Sequence, residues 1–276
     1  MIEEITVQLS DKKVIKLIII ENELNGSLPK ENYLEEVTKE LTSRNYTKSM
    51  GFDSQNKIKE FLKFCIFGEN NLKESIKLNK DNLKDVISEI LKRCDFVLND
   101  EDIQIFVFPT LNEVTINKMS GVGGFCTRKN TILITIYPKK DYTKYLEMAI
   151  IHELAHSLSS YYDMESLSIG EGLIFDGLAE HFRESIMGRE KSPLIKSTSK
   201  EKAIDIFIKL KTQLSKRDSK VYNEVFFGTG KYNLWAGYAI GYYIIDKYLK
   251  NQKSLNWKDI LRKNPREILK EIITYI

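Results

Sequence analysis

The sequence contains few cysteines. Among its 276 residues there are only three, Cys65, Cys94 and Cys126, and they lie far apart along the chain. Small secreted domains held together by disulfides need a dense and even-numbered set of cysteines. This composition excludes a disulfide scaffold and any metal site built from cysteines alone, and it indicates a reducing compartment.

The sequence also lacks an excess of charge of one sign. Lysine and arginine together number 42, and aspartate and glutamate number 39, which leaves a formal net charge of +3. Proteins that bind nucleic acids or anionic membranes by charge have a clustered basic surface. We therefore expect neither nucleic acid nor a membrane as a partner.

Long hydrophobic runs are absent as well. The apolar run near the N-terminus, Leu17–Ile20, is too short for the core of a signal peptide, and the acidic Glu3 and Glu4 precede it. No segment approaches the roughly 20 apolar residues of a membrane-spanning helix. The sequence predicts a soluble, cytoplasmic protein.

The hydrophobic pattern changes along the chain. Alternation predicts a strand pair within residues 1–25, and helical spacing predicts three helices up to about residue 95. Ile103–Phe108 and Thr131–Tyr137 are rich in β-branched and aromatic residues and stop at proline, which is typical of strands. The glycine-rich segment between them, from Ser120, is expected to form a turn. Helical spacing then predicts five helices, near 142–160, 169–187, 200–216, 232–250 and 257–275.

This order of helices, strands and helices predicts an α+β fold. We divide the chain into a mostly helical region of unknown role, residues 1–100, and a second region, residues 101–276, which contains all the motifs described below. The alternative is one continuous globular unit.

Histidine is scarce, and its three positions lie close together. His152, His156 and His181 fall within one short window, and the first two form a His-Glu-x-x-His motif around Glu153. Residues four apart lie on the same face of a helix, so both imidazoles can reach one ion at ~2.1 Å. Glu153 points about 100° away around the helix and can contact a water on that ion instead.

This geometry suits metal-assisted hydrolysis. Zinc lowers the pKa of a bound water from ~15.7 toward ~7, and a neighbouring carboxylate can take its proton as the water attacks a carbonyl carbon. The sequence predicts Glu153 as this general base. The alternative interpretation is a pair of histidines on an ordinary helix with no metal.

A catalytic zinc needs a third protein ligand. The metzincin pattern with a third histidine fails, because Ser159 and Tyr162 occupy its glycine and histidine positions. The next predicted helix instead places Asp176 and Glu180 on one face. One of these two carboxylates can bind the metal while the other accepts the N–H of a ligating histidine.

Several segments resemble known zinc peptidases. The spacing from the histidine motif to the acidic pair is similar to that of gluzincins, in which a glutamate ligand follows at a comparable distance. More specifically, the chain resembles the YjaZ-like family, a domain of unknown function described as a predicted Zn-dependent protease. The resemblance covers roughly residues 103–249 and rests on Gly121–Phe125, Thr131–Pro138, His152–His156, Asp176–Phe182 and Gly237–Gly241.

The resemblance implies a zincin-like fold, with a small mixed sheet, an active-site helix and a mostly helical remainder. It implies that Tyr238, in a Tyr-x-x-Gly motif, donates to the oxyanion of the reaction; a core position for Tyr238, or the same role for Tyr242, is the alternative. It implies that Thr131–Tyr137 is an edge strand that holds an extended peptide, with an interior strand as the alternative. The resemblance implies Asp176 as the third ligand and Glu180 as the acceptor from a ligating histidine; Glu180 as the ligand and an incomplete site are the alternatives. The family's ligand glutamate is replaced here by Asp176, which requires a closer approach of the two helices.

Together these features predict a zinc-dependent metallopeptidase that hydrolyses a peptide or protein substrate. His152, His156 and Asp176 hold Zn²⁺, and Glu153 acts as general base and then as general acid. One alternative is a catalytically inactive binding or regulatory protein that keeps the metal helix as a scaffold. The other is a metallohydrolase of esters or small amides. The oligomeric state stays open.

Overall fold

The computed structural model describes residues 2–10, 13–20, 29–69, 75–98, 102–161, 167–188 and 190–275. In this part of the chain, helices accompany one five-stranded mixed sheet, which confirms the α+β prediction. The chain divides into two compact units, Met1–Glu153 and Leu154–Ile276. Strands from both sides of residue 100 share the sheet, and the division predicted near that residue stays a prediction.

The sheet lies in the first unit, and its strands are ordered β1-β2-β3-β5-β4. The outer pairs β1–β2 and β4–β5 are antiparallel, and the inner pairs β2–β3 and β3–β5 are parallel. The N-terminal strand pair and both later strands were predicted from the sequence and are confirmed. The strands are β1 Ile2–Ser10, β2 Lys13–Ile20, β3 Ile103–Pro109, β4 Val122–Arg128 and β5 Thr131–Ile136.

The central strands are buried on both faces. Ile18, Phe106 and Leu133 are neighbours across β2, β3 and β5 and belong to one hydrophobic core. The adjacent Leu17 and Ile105 point to the opposite face and are also buried. Two buried faces explain why these strands appear in the sequence as unbroken apolar runs.

Helices of the first unit cover this sheet. Apolar residues of α1 and α3 belong to the same core as Phe106, and the predicted helices before residue 95 are confirmed. The helices are α1 Lys30–Ser43, α2 Tyr46–Ser49, α3 Gln55–Ile66, α4 Lys80–Arg93, α5 Glu113–Lys118 and α6 Thr143–Ser157, whose last turn belongs to the second unit.

Strand β4 was not predicted. The turn expected from Ser120 is confined to Ser120 and Gly121, which have φ angles of 56° and 89°, whereas Gly123 and Gly124 pair with β5. The prediction that Thr131–Tyr137 is the edge strand is therefore wrong, since β4 is the edge and β5 lies between it and β3. Glycines have no side chains and a low strand propensity, so this segment lacks the alternation of apolar and polar side chains by which a strand is predicted.

The described residues of the second unit form helices and connecting segments without a strand. The helix predicted over 257–275 is interrupted, because Pro265 begins a new helix. No helix in the described part of the chain is long and apolar enough to span a membrane. The helices are α7 Ile169–Met187, α8 Pro193–Lys196, α9 Lys200–Leu210, α10 Ser219–Phe227, α11 Ala236–Lys250, α12 Trp257–Ile260 and α13 Pro265–Tyr275.

Helices α7 and α11 cross with their backbones in contact. A Cβ atom on Gly177 would overlap the carbonyl of Gly241, and a Cβ on Gly241 would overlap the carbonyl of Leu173. Only glycine allows two helices to approach this closely. The glycines of both motifs thus have a packing role, and Gly177 directly follows Asp176.

Candidate metal centre

The two histidines of the motif lie on α6, one turn apart and on the same face. Every residue of α6 from Ile150 to Ser157 is buried, although the motif residues among them are polar. His152 and His156 accordingly are 6% and 5% exposed. Their imidazoles are therefore withdrawn from bulk water, as ligands of a tightly held ion must be.

Helix α7 supplies the third group. The side chain of Ser168 accepts a hydrogen bond from the backbone of Glu171, whose carboxylate accepts one from the Ser168 backbone, and this capping box fixes the start of α7. Two turns later, Asp176 is 8% exposed, and its Oδ1 lies 3.4 Å from Nε2 of His156. His152, His156 and Asp176 each offer one ligand atom, and these three atoms lie within 4.8 Å of one another.

This donor set fits zinc. Two ligands of a tetrahedral zinc, each at ~2.0–2.1 Å, are separated by roughly 3.3–3.5 Å, close to the distance between His156 and Asp176. Two imidazole nitrogens and one carboxylate oxygen leave a fourth position for water, as in catalytic zinc sites. The Asp176 carboxylate thus reaches the cluster, although the family resemblance implied a glutamate at this position.

Glu180 is buried beside other partners. In the described structure the three-residue cluster contains Asp176 and does not contain Glu180. Oε2 of Glu180 accepts hydrogen bonds from Nε and Nη2 of Arg183, at 3.2 and 3.1 Å, and from Oγ of Ser192, at 2.8 Å. Neither donor was predicted from the sequence. The three-residue spacing to Arg183 was a usable signal, whereas no local pattern pointed to Ser192.

Glu153 lies against the edge strand. Its side chain is 8% exposed, and a Cβ atom on Gly124 would lie 2.8 Å from its Cγ and 2.9 Å from its Oε1. Cys126 is on the same face of β4, and burial, followed by the negative charge of Glu153, raises the pKa of the Cys126 thiol. The absence of a side chain at Gly124 therefore gives the Glu153 carboxylate its space.

The tyrosines of α11 have different environments. The Tyr238 ring packs edge-on against Phe226, with centroids 5.7 Å apart. Tyr242 stacks on His181 and donates a hydrogen bond of 3.0 Å to Glu184. Burial, with the Glu184 carboxylate as the next cause, raises the pKa of Tyr242. The Tyr242 hydroxyl is thus already engaged, which disfavours it as the oxyanion donor.

Comparisons with known proteins assign the chain to a family. The family described as "Predicted Zn-dependent protease (DUF2268)" matches residues 83–270, which is more than half of the chain. The chain is also 22% identical over 214 residues to the uncharacterized protein YjfC of Bacillus subtilis (strain 168), covering 70% of this chain and 71% of that protein. No solved structure matches the chain. The chain therefore belongs to the DUF2268 family of predicted Zn-dependent proteases.

Proposed function

We propose that this protein is a zinc-dependent peptidase that hydrolyses peptide bonds with an activated water. The observation that carries the proposal is the buried cluster of His152, His156 and Asp176, whose ligand atoms lie within 4.8 Å of one another. Glu153, the proposed general base, belongs to the same His-Glu-x-x-His motif. Membership of a predicted Zn-dependent protease family supports the same assignment.

Glu153 carries the proton in this mechanism. Zinc held by His152, His156 and Asp176 would act as a Lewis acid that lowers the pKa of the attacking water. The Glu153 carboxylate accepts the proton of that water as its oxygen bonds to the peptide carbon. Glu153 then donates this proton to the amide nitrogen as the carbon–nitrogen bond breaks, which releases an amine and a carboxylic acid.

The edge strand is suited to hold the substrate. One side of β4 pairs with β5, and its other side has backbone N–H and C=O groups that a sheet partner can use. An extended peptide can add to such an edge by main-chain hydrogen bonds. Because β4 passes Glu153 at Gly124, a peptide on this edge lies beside the general base. The substrate-binding strand we propose is therefore β4, in place of Thr131–Tyr137.

The experiment compares Glu153→Gln with the wild type in zinc-loaded protein. Glutamine keeps the shape of the side chain but cannot take a proton, so we expect turnover of a quenched-fluorescent peptide library to fall by about 10²–10⁴-fold. Zinc content should stay the same as in the wild type. Glu147→Gln is the matched control on α6, where it removes only a partly exposed ion pair with Arg93 and should leave turnover unchanged.

Each other outcome contradicts part of the proposal. Equal turnover by Glu153→Gln and the wild type would remove Glu153 from the mechanism. Hydrolysis of ester substrates without any peptide cleavage would assign a non-peptide metallohydrolase. Bound zinc without turnover of either substrate class would assign a binding or regulatory protein.

A further inference from the structure

Helix α10 places a phenol against the face of α7 that presents Asp176. A Cβ atom on Gly172 would lie 3.0 Å from Cε2 of Tyr222, so the hydroxyl-bearing end of this ring rests on α7 at Gly172. Gly172 precedes Asp176 by four residues and lies on the same face of the helix. The Tyr222 ring therefore sits one helical turn before the third metal ligand.

The direction in which helical side chains point brings the Asp176 carboxylate toward the Tyr222 ring. Cα–Cβ bonds in an α-helix tilt toward its N-terminus, so the Asp176 side chain leans over the turn that contains Gly172. A phenol has an ordinary pKa of ~10, so the Tyr222 hydroxyl keeps its proton at neutral pH, as a hydrogen-bond donor must.

Packing holds the ring in place while its hydroxyl stays available. Tyr222 stacks on Phe226, with centroids 4.3 Å apart and planes 19° apart, and Phe226 in turn contacts Gly172 and Tyr238. The Tyr222 side chain is only half-buried, and within the described ranges its hydroxyl makes no hydrogen bond. The Tyr222 hydroxyl is therefore fixed beside a proposed metal ligand and can donate a hydrogen bond to a bound substrate.

We infer that the Tyr222 hydroxyl donates a hydrogen bond to the carbonyl oxygen of a peptide bound at the metal cluster, in the role that the family resemblance implied for Tyr238. This inference rests on the proposed peptidase function. Negative charge grows on that oxygen as water adds to the carbonyl carbon, and a donor already in position stabilises the charge without reorganisation. Tyr222 is thus a catalytic residue contributed by α10.

The test is Tyr222→Phe, which keeps the ring and its stacking on Phe226. We expect unchanged zinc content and thermal midpoint, an unchanged KM, and a kcat lower by about 10²-fold for a peptide that the wild type cleaves. Tyr232→Phe is the matched control, since it removes the hydroxyl of another half-buried tyrosine of the second unit, whose ring lies beside the ammonium group of Lys231. We expect its kcat to stay within about threefold of the wild type.

A second readout does not depend on peptide cleavage. Acetohydroxamate binds metals through two oxygens, and its binding to Co²⁺-substituted protein is followed in the visible absorption of cobalt. A donor beside these oxygens strengthens binding, so Tyr222→Phe should raise the acetohydroxamate Kd by roughly tenfold. The Tyr232→Phe protein should bind acetohydroxamate with the same Kd as the wild type.

The outcomes separate this inference from the proposed function. Wild-type kcat and acetohydroxamate Kd in Tyr222→Phe would overturn the role of Tyr222 and leave the peptidase proposal intact. A lower thermal midpoint with an unchanged Kd would assign Tyr222 to packing, and losses in Tyr238→Phe alone would assign the role to Tyr238. A wild-type protein that neither binds Co²⁺ nor cleaves peptides would overturn the proposed function, and this inference with it.

Discussion

At the scale of single residues, Gly124 determines where Glu153 can lie. Replacing Gly124 with alanine places a methyl group 2.8 Å from Cγ of Glu153, which forces the carboxylate to move. Because a displaced base meets the attacking water poorly, we expect kcat to fall by at least about tenfold, with zinc content unchanged. Steady-state kinetics and metal analysis of Gly124→Ala test this expectation.

A shorter side chain at position 153 provides the control for the Gly124→Ala experiment. Glu153→Asp withdraws the carboxylate from β4, so adding Gly124→Ala to it should cause little further loss of kcat. The two changes are then strongly non-additive, as expected for side chains in contact. Losses that simply add, or full activity in Gly124→Ala, would show that space at Gly124 does not position Glu153.

The pair Glu180–Arg183 is buried, with side-chain exposures of 2% and 1%. Arg183→Met removes two of the hydrogen bonds that Oε2 of Glu180 accepts and also removes the positive charge beside this buried carboxylate. We expect the free energy of unfolding to fall by about 3–5 kcal/mol in urea denaturation. Lys209→Met removes the exposed pair with Asp205 and should cost less than about 0.5 kcal/mol. Equal small losses in both variants would contradict this ranking.

At the scale of elements, the start of α7 carries a pH-dependent contribution to stability. Burial alone would raise the pKa of Glu171, but hydrogen bonds from Ser168 and Arg266 outweigh it and lower the pKa below 4.5. Because the folded pKa is lower than the unfolded one, the unfolded chain binds more protons near pH 4. The contribution of Glu171 is thus complete at neutral pH and lost as the pH falls through the folded pKa.

Glu171→Gln tests this contribution. We expect the difference in unfolding free energy between the wild type and Glu171→Gln to be constant from about pH 7 to pH 5 and to shrink below the ordinary glutamate pKa of ~4.3. Urea denaturation across this range measures it. A difference that does not change with pH would mean that the Glu171 carboxylate has the same pKa in the folded and unfolded chains.

Elements with long and strongly periodic patterns were predicted from the sequence, and elements without one were not. The prediction for 169–187 coincides with α7, because this helix has an apolar pattern and a capping serine. Strand β4 was not predicted, because Gly123 and Gly124 give no alternation of apolar and polar side chains. Since β4 occupies the edge of the sheet, the proposed substrate-binding strand is β4 and not Thr131–Tyr137. Edge and interior positions depend on pairing between distant strands, which local sequence does not encode.

At the scale of the whole molecule, the metal should link the site to stability. A ligand that binds only the folded chain stabilises it by RT ln(1 + [L]/Kd), which is about 2.7 kcal/mol at 100 times Kd. We therefore expect EDTA to lower the thermal midpoint of the zinc-loaded wild type and added zinc to restore it. His152→Ala should show the same midpoint with and without EDTA. A wild-type midpoint that EDTA leaves unchanged would contradict metal binding by the folded chain.

The part of the candidate site that lies on one helix and on the helix after it could be predicted from the spacing of residues in the sequence. His152, Glu153 and His156 lie on one helix, so their relative positions follow from helical spacing alone. Asp176 lies on the next helix along the chain, which has only to pack against the first. Tyr222 comes from another helix whose position depends on packing around Phe226, and no spacing rule relates it to the motif. Residues from elements far apart in sequence are therefore where the structure adds most to the site.

The proposed function requires that His152, His156 and Asp176 hold one zinc ion. Anomalous-difference maps from crystals of the zinc-loaded protein, collected on both sides of the zinc absorption edge, show whether they do. We expect one peak that appears only above the edge, ~2.0–2.2 Å from a ring nitrogen of each histidine and from a carboxylate oxygen of Asp176. The absence of a peak there, or a zinc ion bound without Asp176, would contradict it.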